Sequence, residues 1–235
     1  MTLFRPAALR REPYVVNEET MLSLIHDVGF IPFFENVVPG WSVEEHTPPE
    51  YFFADDELGP WDWKIACVQS GDIAYGKFLL GGKAAFATAE VYRELMNWRR
   101  SLPKYRPTAP QQRILDFMEE HGSAGIRDVR KLLGIKKGAA DALMAGLQMQ
   151  TRVITGDITR VYRGPDLHYN GWQTSSFCTP EALFELDAGA FPFPGWEPRT
   201  LRSDLTPAQS RDFLAELILK QAPGTPAGVI DKVLG

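Results

Sequence analysis

Cysteine is nearly absent from this 235-residue chain: there are only two, Cys67 and Cys178. They lie far apart among apolar or small residues and show no ligand-type spacing. That argues against a disulfide scaffold or thiolate metal site and suits buried thiols in a reducing, cytoplasmic setting. Long apolar runs are missing too, and none approaches the roughly 20 residues of a membrane helix, so no membrane partner is expected. The basic opening MTLFRPAALRREPYVV has neither the apolar core nor the small-residue cleavage site of a secretory signal. Gly76-Lys77 and Gly81-Gly82-Lys83 fall in strand and hairpin patterns, not in a phosphate-binding loop. The four histidines are scattered; His46 lies near Glu44, Glu45 and Glu50, where a metal site is conceivable but the spacing is not diagnostic and a surface loop is the simpler reading. No metal or cofactor is expected. No local signature of a nucleophile–histidine set is present, and there is no internal repeat.

What the chain does have is an ordinary globular composition, 44% hydrophobic and 23% charged, with an uneven distribution of charge. From Trp98 to Arg163 thirteen Lys or Arg stand against six Asp or Glu. The remainder carries twelve basic and twenty-four acidic residues. A basic segment between acidic flanks is the arrangement of a surface aimed at a polyanion.

The same segment has the outline of a winged helix-turn-helix. Thr108 caps a helix with Pro110 in its first turn and Ile114, Leu115, Phe117 and Met118 as its buried stripe, stopped by Gly122. A second carries Ile126, Val129, Leu132 and Leu133 inward and ends at Gly134. A third has Ile135, Ala139, Leu143 and Leu147 at helical spacing, which turns Lys136, Lys137, Ala140, Asp141, Met144 and Gln148 outward. Arg152–Thr155 and Ile158–Tyr162 then read as two strands joined at Gly156-Asp157. In such a module the third helix and the wing face DNA. The candidate phosphate contacts are Arg127, Arg130, Lys131, Lys136, Lys137, Arg152 and Arg160.

The expected fold class is α+β, with boundaries at 1–100, 108–163 and 164–235. The first part holds a helix capped by Asn17 and ended by Gly29. It continues with a small antiparallel meander of Trp63–Val68, Ile73–Leu79 and Lys83–Ala87, then a helix from Thr88 with Val91, Tyr92, Leu95 and Trp98 on one face. Ser101–Pro107 is the linker candidate. The last part has a helix start at Thr179-Pro180, an irregular Phe191–Trp196 and an amphipathic helix from Thr206-Pro207 burying Phe213, Leu214, Leu217 and Ile218, packed back on the body.

The densest cluster of unusual residues is Gly59-Pro60-Trp61-Asp62-Trp63-Lys64 with Tyr75-Gly76-Lys77-Phe78. On a strand Trp61 and Trp63 share a face. With Tyr75 and Lys77 they make a candidate ligand shelf, able to stack a base, or else plain core around an Asp62–Lys64 pair.

These strings, together with Phe30–Asn36, Ser42–Thr47, Asn97-Trp98-Arg99-Arg100, Leu147-Gln148-Met149-Gln150 and Tyr169-Asn170-Gly171-Trp172, resemble the AlkZ-related bacterial proteins, kin to the YcaQ/AlkZ winged-helix DNA glycosylases. The resemblance covers roughly Val16 to Phe184. It implies a cytoplasmic, DNA-facing protein linked to DNA repair. Gln148-Met149-Gln150 has the form of the glutamine–apolar–glutamine motif of those glycosylases. By that analogy Gln148 and Gln150 would project from one side of a strand beginning the wing and position a water for attack at the sugar carbon, aided by Asp157 or Asp62. Three readings are carried forward: a DNA-binding winged-helix protein, a glycosylase acting through Gln148 and Gln150, and a protein- or small-ligand-binding module centred on Trp61 and Trp63.

Overall fold

The computed structural model describes residues 11–52, 58–185 and 199–235. The expected Phe191–Trp196 segment lies outside them. The architecture is α+β, with helices around two small antiparallel three-stranded sheets.

The first sheet has the order β1-β3-β2, from β1 (Phe30–Pro32), β2 (Ile73–Leu79) and β3 (Lys83–Thr88). The β2–β3 turn runs through Leu80, Gly81 and Gly82, all at positive φ, and Leu80 N–H donates to the Val233 carbonyl (3.0 Å). α1 (Glu18–Val28) is closed by an Asn17–Thr20 capping box and ended by Gly29. α5 (Ala89–Ser101) starts from the Thr88 hydroxyl.

One expected strand is a helix. Trp63–Val68 belongs to α4 (Pro60–Gln69), which follows the four-residue helices α2 (Val43–His46) and α3 (Pro49–Phe52). The third strand of the sheet is β1. Gly59 is the N-cap of α4, and Pro60 in its first turn needs no partner for a missing N–H. Seven of its ten residues are buried, so no apolar stripe marked it as helical.

The central segment continues as α6 (Ala109–His121), β4 (Ala124–Gly125), α7 (Ile126–Leu133), α8 (Lys137–Met149), β5 (Ile154–Arg163) and β6 (His168–Cys178), with sheet order β4-β6-β5. Two expectations are corrected here. Gly156-Asp157 is not a turn; β5 runs straight through it as a bulge, Thr155 facing Phe177 and Asp157 facing Ser176. A Cβ on Gly156 would stand 2.8 Å from Cys178 Sγ, so the glycine serves a close approach between strands. The chain reverses at residues 164–167 instead, with Gly164 at φ 76° and Leu167 at φ 48°.

The second correction is the phase of α8. Its buried residues are Ala140, Met144, Leu147 and Gln148, while Ala139 is exposed. Ala140, Met144 and Gln148 therefore face inward. A helix reading KGAADALMAGLQM has too few large side chains to fix its own orientation.

Two apolar clusters result. The helices α6–α8 enclose Ile114, Met118, Val129, Met144, Leu147 and Val153. The larger cluster joins the first sheet, α1, α4 and α5 to the base of the β5–β6 ribbon (Ile154, Ile158). It also takes in α9 (Pro180–Phe184), α10 (Pro207–Gln221) and α11 (Ala227–Leu234). Residues 101–107, expected as linker, contain a turn of 3₁₀ helix at Pro103–Tyr105. Buried Tyr105 donates its OH to the Gly235 carbonyl (2.9 Å).

Candidate functional site

Five of the seven candidate phosphate contacts are exposed: Arg127, Arg130 and Lys131 on α7, Lys136 at the cap of α8 and Lys137 in its first turn. Lys137 also pairs with Asp141 one turn on (2.7 Å), so part of its charge is spent locally. The other two turn inward. Arg152 is half-buried, its Nε without a partner among the described residues, and burial lowers its pKa, assisted by nearby Arg100. Arg160 reaches Asp62 on α4.

Asp62 centres the second constellation. Its side chain is buried at the first turn of α4, and its Oδ1 accepts from Tyr169 OH (2.7 Å), Arg160 Nε (3.1 Å) and Gln173 Nε2 (3.3 Å). Gln173 Nε2 also donates to Tyr169 OH (2.8 Å). Among the described residues, Oδ2 accepts no hydrogen bond. Two residues further along α4, buried Lys64 donates to the Trp61 carbonyl and to Gln173 Oε1, and its Nζ stands 3.4 Å from the centre of the Trp61 ring. Burial pushes the Lys64 pKa down to about 7; Arg160 adds to that and Asp62 opposes it. The ribbon is thus bound to α4 through polar groups as well as through Ile154 and Ile158.

Beside this network lies a hollow of about 160 Å³ whose wall includes Phe33, Phe34, Phe52, Trp61 and Asp62. The expected shelf does not form as a unit. On a helix Trp61 and Trp63 cannot share a face: Trp61 is 45% exposed while Trp63, Tyr75 and Phe78 are buried. Lys77 is exposed on β2, and its backbone N–H, not its ammonium, makes the notable contact.

That contact is with Gln148, which is corrected as well: Gln148 and Gln150 lie at the end of α8, not on a strand. Both are buried, 4% and 8% exposed. Gln148 Oε1 accepts from Lys77 N–H (2.8 Å), and its Nε2 donates to the Met144 carbonyl (3.2 Å). A Cβ on Gly76 would lie 2.8 Å from that Oε1, so the bare backbone of β2 admits the amide. Gln150 Nε2 donates to Gln111 Oε1 (3.0 Å), while its own Oε1 has no partner among the described residues. Asp157 accepts from Gln69 Nε2 (3.0 Å) and its own neighbour's N–H.

The remaining candidates serve the fold. His46 Nδ1 meets the Pro13 carbonyl (3.0 Å), and burial lowers its pKa. Glu44 and Glu45 bind the backbone N–H groups of Glu35 and Gly40. No His/Cys/Asp/Glu group able to hold a metal occurs among the described residues. Cys67 and Cys178 are free and buried, and burial raises both thiols to about 12.

Sequence reasoning singled out Asp62, Lys64 and Trp61 but not the partners that give them a setting. Tyr169 and Gln173 lie more than a hundred residues away, Phe33 and Phe34 entered only within a string of the resemblance, and Phe52 was not singled out. The signal available was that Gly59–Lys64 and Tyr169–Trp172 were both singled out by the resemblance.

Fold and site together define an α+β protein with a cationic two-helix face and, apart from it, an aromatic hollow beside a held carboxylate. A family model described as AlkZ related matches residues 15–235, nearly the whole chain, and the chain belongs to that family. Comparison with the curated proteins and with the solved structures returned no significant match.

Proposed function

We propose that this protein binds DNA through a winged-helix module formed by α6, β4, α7, α8 and the β5–β6 ribbon. The observation that carries the reading is the run of five exposed cations, Arg127, Arg130, Lys131, Lys136 and Lys137, on α7 and the start of α8. Membership of the AlkZ-related family agrees with it and points toward DNA repair. The second helix and the N-terminal turn of the third supply the contacts. Lysines there suit phosphates, and the outward face of α8, with Gly138, Ala139, Asp141 and Ala142, holds little that reads base edges. Recognition is accordingly of backbone and shape.

The test is binding to labelled duplex at two salt concentrations. Each lost phosphate contact lowers the log–log salt slope by about 0.9. Lys136→Glu with Lys137→Glu is expected to weaken binding at least about tenfold and flatten that slope. A double variant binding as tightly as the parent, with an unchanged slope, removes this docking face.

Base excision through Gln148 and Gln150 needs an opening at those side chains. Their burial in the α8–β2–α6 seam gives them a structural task instead.

A further inference from the structure

The hollow beside α4 has the shape of a box. Phe33 is its floor, almost fully buried. Around it stand Phe34, Phe52 and Trp61, with ring centres 4.7, 6.3 and 5.9 Å from that of Phe33 and planes inclined to it by 57°, 62° and 81°. All three rings stand steeply to the Phe33 ring, so the floor has no parallel partner among them to make a flat slot, and the enclosure suits a compact group. A volume of about 160 Å³ is room for one such group. The aromatic faces carry negative quadrupole potential, which repels anions and attracts cations.

The remaining wall decides the charge. Asp62 is among the residues that line the hollow and is 8% exposed; its Oδ1 is held by three donors, and among the described residues its Oδ2 accepts no hydrogen bond. A buried carboxylate fixed by one oxygen presents the other with no reorganisation on binding. The protein also shows that the Trp61 ring accepts an ammonium, since Lys64 Nζ lies 3.4 Å from its centre, although Lys64 is not part of the lining. Lys64 and Arg160 are the neighbouring cations. Arg160 is paired through Oδ1, and burial of Lys64 reduces its charge near neutral pH.

We propose that this hollow is a binding site for a small free quaternary ammonium ion, its methyl groups against Phe33, Phe34, Phe52 and Trp61 and its charge facing Asp62. The site is separate from the cationic face and does not depend on the DNA reading.

The experiment is a calorimetric titration of the whole protein, without DNA, with choline and with 3,3-dimethylbutan-1-ol, its neutral isostere. Choline is expected to bind saturably, and the isostere at least about tenfold more weakly, because only the cation gains from the ring faces and the carboxylate. Trp61→Ala and Asp62→Asn should each weaken choline by a similar factor, with the thermal transition of each variant confirming that it is folded. Absence of saturable choline binding, or an isostere binding within twofold of choline, overturns the proposal. Both comparisons use the parent protein, so they stand even if a variant fails to fold. Undiminished choline binding by folded Asp62→Asn overturns the role of the carboxylate and with it the choice of ligand.

Discussion

Gln148 shows how one side chain can read as chemistry in sequence and as construction in structure. Its amide carbonyl satisfies the Lys77 N–H of the sheet, its amide N–H₂ returns to its own helix, and Gly76 leaves the space that makes this approach possible. Gln148→Ala leaves the partly buried Lys77 N–H without this partner, at an expected cost of about 1 kcal/mol. Urea denaturation measures it, and a loss under about 0.5 kcal/mol contradicts the structural role. The pattern of glutamine–apolar–glutamine was legible; its burial was not, because nothing local to residues 148–150 records that β2 packs over them. Arg99 is a similar case. A basic residue in the last turn of α5, it is fully buried, and it donates to the carbonyls of Leu234 and Met149, tying α11 and α8 to α5.

Among the elements, the β5–β6 ribbon departs most from its expected role. A wing is expected to stand free toward DNA, but here its outer part lies on α4, held by Asp62 through Arg160, Tyr169 and Gln173. Its base is paired to β4 separately, at Ala124–Phe177 and Gly125–Ser176. Arg160→Ala is therefore expected to speed amide exchange in the outer ribbon about tenfold, equivalent to roughly one lost hydrogen bond, while the β4-paired residues keep their protection. It should leave DNA affinity within about twofold of the parent, since a paired, inward-facing arginine releases no phosphate counterion. A loss of affinity as large as that of the Lys136/Lys137 double variant would return Arg160 to the DNA face.

Across the whole molecule, the buried titratable groups set how stability varies with pH. Burial lowers Lys64 from 10.5 to about 7, so between those values the unfolded chain binds more protons and stability rises with pH; that contribution is lost as pH falls through 7. Burial raises Cys67 and Cys178 from 9.0 to about 12, so above pH 9 the unfolded chain has lost more protons and stability falls. A stability maximum near pH 9 follows, measurable by urea denaturation between pH 6 and 11. Lys64→Met should remove the rising limb, and a variant that keeps it shows that Lys64 is not its source.

The sequence by itself determined the elements whose signals are local. The caps at Asn17, Thr88, Thr179 and Thr206 and the stops at Gly29, Gly122 and Gly134 act within a turn of the residues that display them. So does the positive-φ turn at Gly81-Gly82, and so the α+β class was readable. Only the tertiary structure decided that Pro60–Gln69 is a helix, which face of α8 is buried, and that Gly156 sits in a bulge, because these depend on packing partners elsewhere in the chain. The candidate site is of the second kind. Asp62 meets Tyr169 and Gln173 only because the ribbon crosses α4, and the aromatic box exists only because β1, α3 and α4 converge there. Short-range sterics and hydrogen bonds write the elements into the chain locally, whereas a site assembled from distant segments has no local energy term that could announce it.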